Sequence, residues 1–160
     1  MACILLYCRI LLELGRAGIF GFLINMPVSL FYIQGLNTTA VHAHTALFGV
    51  YGFLSLGFVF LIARYIRPEV EFNDKLMKFG FWALNWGLAL MVLISLLPIG
   101  LIQSWASVTQ GLCSLAAKTL CNNHCYKNLR WLRMVGDTIM ILGALAFFWQ
   151  IVKVTFTKKQ

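Results

Sequence analysis

The sequence predicts an all-α integral membrane protein, a helical bundle of about four transmembrane helices, and three observations carry that prediction. Of its 160 residues 61% are hydrophobic and only 11% are charged, with a mean hydropathy of +0.82. The apolar residues gather into runs of about 20, the length that crosses a hydrocarbon core of roughly 30 Å. The charges fall between and beside those runs, where they read as topology signals. The formal charge of +8, from 13 Lys and Arg against 5 Asp and Glu, is therefore assigned to membrane orientation. The expected surroundings are membrane lipid, with no nucleic acid. The five cysteines set out no strong disulfide framework, and residues 1–160 are read as one membrane domain.

Met1 to Arg16 is apolar but interrupted by Arg9, Glu13 and Arg16. It reads as an interfacial helix or the start of a span; a signal peptide is the weaker reading, because no small-residue cleavage site follows. Cys3 and Cys8 are read as small apolar residues. The first span, about 17–35, contains Asn25 and Pro27, a pair that predicts a kink with freed backbone groups to be satisfied by neighbours. Phe31 and Tyr32 make an interfacial aromatic pair at its end. Gln34 to Thr39 is a turn in which Thr38 or Thr39 can cap the next helix. Asn37-Thr38-Thr39 also matches a glycosylation sequon, but turn and cap is the better reading of so short a motif.

The second span, about 40–63, carries His42 and His44 in its first turns and thins at Gly49, Gly52 and Gly57, which favours close packing against a helix or a cofactor. Arg64 to Lys78 is a charged loop, with Pro68 ending the helix before it. In the third span, about 79–102, Asn85 is expected to hydrogen-bond between helices, and Pro98 to tilt the exit. A polar stretch follows, with an interfacial helix expected over Trp105 to Leu120. The fourth span, about 131–154, starts beside Arg130, Arg133 and Asp137. Asp137 is read as paired with Arg133 four positions away, or with the helix N-terminus. Nine Lys and Arg lie on the side of the termini and four on the other, which predicts cytoplasmic termini and histidines near the outer face.

His42 and His44 are the chemically distinctive pair. An unpaired polar group in hydrocarbon costs several kcal/mol, so imidazoles there need partners. Two positions along an α-helix turn a side chain by about 200°. The histidines then point to opposite sides, unlike the spacing of three or four that chelates one ion on one face. Two readings stand: histidines hydrogen-bonded within the bundle, or one axial ligand for each of two cofactors, haem being the natural candidate. On the His42 side Ala46 and Gly49, at i+4 and i+7, are expected to leave room for a ring. Cys121, His124 and Cys125 are read as part of a solvated loop, with a metal site or a disulfide loop as the alternatives.

Four segments carry a resemblance: Ala17 to Asn25; Gly35 to Gly52, with its Asn-Thr-Thr-Ala-Val-His-Ala-His-Thr core; Phe81 to Met91; and Leu129 to Thr138 with its Arg-Trp-Leu-Arg-Met-Val-Gly-Asp run. Together they resemble the C-terminal part of the catalytic subunit of nitric oxide reductases, in the haem-copper oxidase superfamily. The Tyr32 to Thr39 turn is closer to the single-chain quinol-dependent type than to the type that takes electrons from cytochrome c. The resemblance implies that the spans are the last four helices of a twelve-helix subunit I bundle in a bacterial inner membrane. It implies that His42 is similar to the axial ligand of a high-spin haem b, which faces a non-haem iron where two nitric oxide molecules become nitrous oxide, and that His44 is similar to an axial ligand of a low-spin haem b that delivers quinol electrons. The family's second low-spin ligand and its three non-haem iron histidines come from earlier helices, and this chain has three histidines in all. No catalytic set is complete in it. Met1 to Arg16 and Leu112 to Lys127 depart from the family pattern and are expected to be ends or scars of a truncated frame, with the missing N-terminal helices as partner. The alternatives are a degenerate membrane fragment that binds nothing and a small di-haem electron carrier working as a homodimer.

Overall fold

The structure, a computed structural model, describes residues 18–111 and 124–156, without the side chains of 124–126. Among the described residues it is helical, with no strand. The helices are α1 (Phe20–Asn25), α2 (Pro27–Ile33), α3 (Asn37–Ala43), α4 (Phe53–Ile66), α5 (Asp74–Leu90), α6 (Leu97–Gln110) and α7 (His124–Phe156). Wider π-helical stretches join two pairs of them end to end: His44–Gly52 between α3 and α4, and Met91–Leu96 between α5 and α6. The result is three continuous rods, Asn37–Ile66, Asp74–Gln110 and Lys127–Phe156, of 30, 37 and 30 residues. Each exceeds the roughly 20 residues that a bilayer requires. The long list of exposed Leu, Ile, Phe and Trp side chains along them is the surface expected where hydrocarbon, not water, is the solvent.

The segment expected as the first span is a kinked pair of short helices of 6 and 7 residues, outside the three rods long enough to cross. The chain breaks at Met26, between the Asn25 and Pro27 that mark the kink in the sequence, and restarts with Pro27 in the first turn of α2, where a missing N–H costs no helical bond. The Asn25 side-chain amide donates to the Gly21 carbonyl one turn back at 2.7 Å. Gly35 then turns the chain with a positive φ of 78°, a conformation that favours a residue without Cβ. After α4 ends at Ile66, ahead of Pro68, the Asn73 side chain caps α5 by accepting from the Lys75 and Leu76 backbone amides.

The central rod is the most buried of the three, and α7 lies antiparallel against α5. Two glycine pairs make that contact. A Cβ on Gly80 would come 3.3 Å from the Gly143 carbonyl oxygen, and one on Gly87 would come 2.9 Å from that of Gly136. The glycines are seven residues apart on each helix, about two turns, so the backbones touch twice along one seam. Gly52 and Gly57 play no such part: Gly52 faces Phe48 of its own rod, and nothing lies within 4 Å of a Cβ at Gly57. Phe53 stacks toward Phe81 at 6.2 Å and Phe60 toward Phe147 at 5.1 Å, which ties the histidine rod to α5 and α7 around buried Leu84, Leu88 and Met91.

One further expectation is corrected. Asn85 donates to the Phe81 carbonyl of its own helix at 2.8 Å, because the i−4 oxygen lies within reach of a short amide. Pro98, expected to tilt the exit of the third span, lies within a continuous rod. It sits at the start of α6, directly after the Met91–Leu96 π stretch, whose changed backbone pairing accommodates a residue without N–H. The helix then runs on to Gln110 and stops at Gly111. The expected interfacial helix from Trp105 thus begins inside α6, and its remainder lies outside the described residues. So do Met1 to Arg16 with Cys3 and Cys8, Cys121, and the side chains of His124 and Cys125.

Candidate functional site

The start of α3 is seated on α6 by polar contacts that hold the histidines in place. Leu36, not a threonine, occupies the N-cap. The orphan amide of Asn37 donates instead to the Gln103 side-chain oxygen at 2.9 Å, a cap supplied by a neighbouring helix. Thr38 is buried; its hydroxyl donates to the Gly100 carbonyl at 3.1 Å and shares a 2.8 Å hydrogen bond with Ser104. The two backbones meet here, since a Cβ on Gly100 would lie 2.7 Å from the Thr38 nitrogen. Thr39 donates to the Ile33 carbonyl and Ser107 to that of Tyr32, which draws α2 onto the same end of the bundle. The threonines therefore fasten helix to helix and do not cap, because each hydroxyl has a carbonyl from another segment within reach.

His42 lies one turn farther along α3 and faces α1. A Cβ on Gly21 would come 2.6 Å from His42 Cε1, and the Phe20 ring stands 6.5 Å from the imidazole, centroid to centroid. His42 Nδ1 is buried with no hydrogen-bond partner among the described residues. An orphaned imidazole nitrogen in an apolar bundle is costly, so the ring is held by packing and not by a polar partner of its own. The ring fills the place that a side chain at Gly21 would take, across the helix interface. Gly49, expected to leave room for a ring, instead faces Leu88 of α5. The i+4 and i+7 positions of an α-helix do not apply beyond His44, where the π stretch opens the turn.

His44 is the first residue of the π stretch, and its Nδ1 lies 2.8 Å from the Ala40 carbonyl oxygen. A carbonyl can only accept, so Nδ1 is the donor of this bond and Nε2 is the ring's other nitrogen, left for a second partner. That arrangement, one ring nitrogen tied to a backbone carbonyl and the other left as a donor atom, is how proteins orient an imidazole toward a metal. Thr45, buried next to it, donates to the Val41 carbonyl at 2.8 Å and approaches the His42 carbonyl at 3.1 Å. Its hydroxyl adds a side-chain bond to the preceding turn where α gives way to π. With about 200° of helix rotation between them, the two imidazoles do not converge. No group of three or more His, Cys, Asp or Glu that could hold one metal ion occurs among the described residues.

Residues 2–154 match the family model described as cytochrome c and quinol oxidase polypeptide I. The chain belongs to that family. It is thus a multi-pass integral membrane protein of the haem-copper oxidase superfamily, whose members are oxidoreductases. In this polypeptide I chain the donor chemistry fits haem. His44 offers an oriented Nε2, and His42 offers an imidazole whose buried Nδ1 is unsatisfied, with the ring itself packed on Gly21. Gly21 and the Ala40 carbonyl are the site residues that sequence reasoning missed. Ala40 gives no signal, since any residue supplies a carbonyl; Gly21 is visible in the sequence, but its role depends on which helix packs beside α3.

At the far side of the same end, Arg133 Nε donates to Asp137 at 3.2 Å, the pairing expected from their spacing. Both side chains are about four-tenths exposed, so the pair contributes on the order of 0.5 kcal/mol or less.

Proposed function

We propose that the chain is a membrane element of a quinol-dependent nitric oxide reductase, carrying one axial ligand for each of two haems b in a bacterial inner membrane. His42 holds the high-spin haem and His44 the low-spin haem. The observation that carries the reading is the His44 geometry: its Nδ1–H is spent on the Ala40 carbonyl, which leaves Nε2 as a metal ligand on the side of the helix away from His42. When bound, the haems supply electron transfer and a place for nitric oxide to be reduced opposite a non-haem iron. This chain's part is to fix two imidazoles in opposite directions on a rod clamped to α6 through Thr38 and Gln103. The further ligands lie outside these 160 residues, which hold three histidines in all, so the isolated chain is expected not to reduce nitric oxide.

The test is a haem titration of the purified chain followed by absorption and magnetic circular dichroism. His44→Ala is expected to remove one haem signal and His42→Ala the other, and the double variant both. Unchanged spectra in both single variants would refute the ligand assignment.

A further inference from the structure

His42 and His44 stand two residues apart on one rod, yet their ring nitrogens are provided for differently. His44 Nδ1 donates to the Ala40 carbonyl at 2.8 Å, a bond made within the rod itself and one turn long. It holds the proton on Nδ1 and leaves Nε2 for a second partner. His42 Nδ1 is buried with no hydrogen-bond partner among the described residues. A neutral imidazole offers Nε2 to a metal only when its proton sits on Nδ1, and at His42 no acceptor keeps it there.

The surroundings of the His42 ring add a second difference. A Cβ on Gly21 would lie 2.6 Å from Cε1, 3.2 Å from Nε2 and 3.3 Å from Nδ1, so the edge that carries both nitrogens is turned toward α1. A group that approaches Nε2 meets that helix alongside and must press it aside. A ligating histidine ordinarily gives its second nitrogen to an acceptor, which fixes the tautomer and raises the ring's basicity; loss of that acceptor lowers metal affinity about 10–100-fold.

We propose that the two histidines are unequal haem ligands: His44 is the strong site that loads first, and His42 the weak site that loads last and gives up its haem most readily. The proposal rests on both being haem ligands, as read above. A half-loaded chain then carries haem on His44 alone, so the electron-delivering group is in place before the one at which nitric oxide is reduced.

Haem titration of the full chain in detergent tests the order. In the His124→Ala background, His42→Ala leaves His44 as the one histidine and His44→Ala leaves His42. The chain that keeps His44 is expected to bind haem about tenfold more tightly or better, and resonance Raman spectra of the ferrous forms to show the lower iron–imidazole stretching frequency in the chain that keeps His42. Helical circular dichroism checks that both variants fold. Nitrogen-15 NMR of the histidines in the haem-free chain needs no variant of the site: His44 is expected wholly as the Nδ1–H tautomer and His42 as a mixture. Equal affinities, a higher stretching frequency at His42, or a His42 ring fixed wholly as Nδ1–H overturns the proposal and leaves the ligand assignment standing. Failure of both variants to bind haem refutes the ligand assignment and this proposal with it.

Discussion

Gly136→Ala tests the seam between α5 and α7 directly. The added methyl would lie 2.7 Å from the Met91 backbone nitrogen, 2.9 Å from the Gly87 carbonyl oxygen and 2.9 Å from Met91 Cβ. Ordinary contact begins at 3.4 Å, so the shortfall is about 0.7 Å against backbone, where no rotamer change can relieve it. The helices must move apart, which loosens the Gly80–Gly143 contact two turns away. Overpacking of this kind costs about 1–3 kcal/mol, against a helix-propensity gain of at most about 1 kcal/mol for replacing glycine with alanine. Gly57→Ala is the matched control, since nothing lies within 4 Å of its added methyl and it receives the propensity gain alone. Unfolding in mixed micelles of rising dodecyl sulfate fraction, followed by circular dichroism, is expected to place Gly136→Ala about 2 kcal/mol below Gly57→Ala. If Gly136→Ala is as stable as Gly57→Ala, the glycine seam does not hold these helices together.

Three other outcomes follow from the structure. Gly21→Ala drives a methyl into the His42 ring, about 0.8 Å inside ordinary contact; in haem-loaded chain it is expected to shift the absorption of the His42-bound haem and leave that of the His44-bound haem unmoved. Thr38→Val removes a buried hydroxyl shared between the Gly100 carbonyl and Ser104, and dodecyl sulfate unfolding is expected to show a loss of about 1 kcal/mol, the usual worth of an interhelical hydrogen bond in membranes. Asp137→Asn breaks an exposed pair and is expected to lower stability by less than about 0.5 kcal/mol, with the difference vanishing in high salt.

Much of the fold was legible because hydropathy is a local property. The apolar runs, the kink between Asn25 and Pro27, the stop before Pro68 and the Arg133–Asp137 pair each follow from residues near one another in the chain. What escaped depends on which helices become neighbours. Gly80, Gly87, Gly136 and Gly143 look no different in sequence from Gly52 and Gly57, yet the first four bring the α5 and α7 backbones together and the last two make no contact between helices. Thr38 carries the signature of a cap and uses its hydroxyl on another helix. At the site, the opposed directions of His42 and His44 come from their spacing alone. The glycine beside His42 and the carbonyl beneath His44 required the packing of α1 on α3 and the change of helical pitch at residue 44.

That change of pitch gives the histidine rod two independent registers. Its first segment, Asn37 to Ala43, is fixed at one end by Gln103, Gly100 and Ser104, while α4 is set by aromatic contacts to α5 and α7. The π stretch between them is slack in the chain's numbering, a place where a residue can be lost by tightening the turn to α and the two ends still meet their own neighbours. A one-residue deletion within 46–51 would then leave the imidazoles seated, whereas the same deletion between Asn37 and His42 would swing both by about 100° and take His42 away from Gly21. The chain thus separates where its two histidines point from how its helix crosses the membrane, so each can drift in length without disturbing the other.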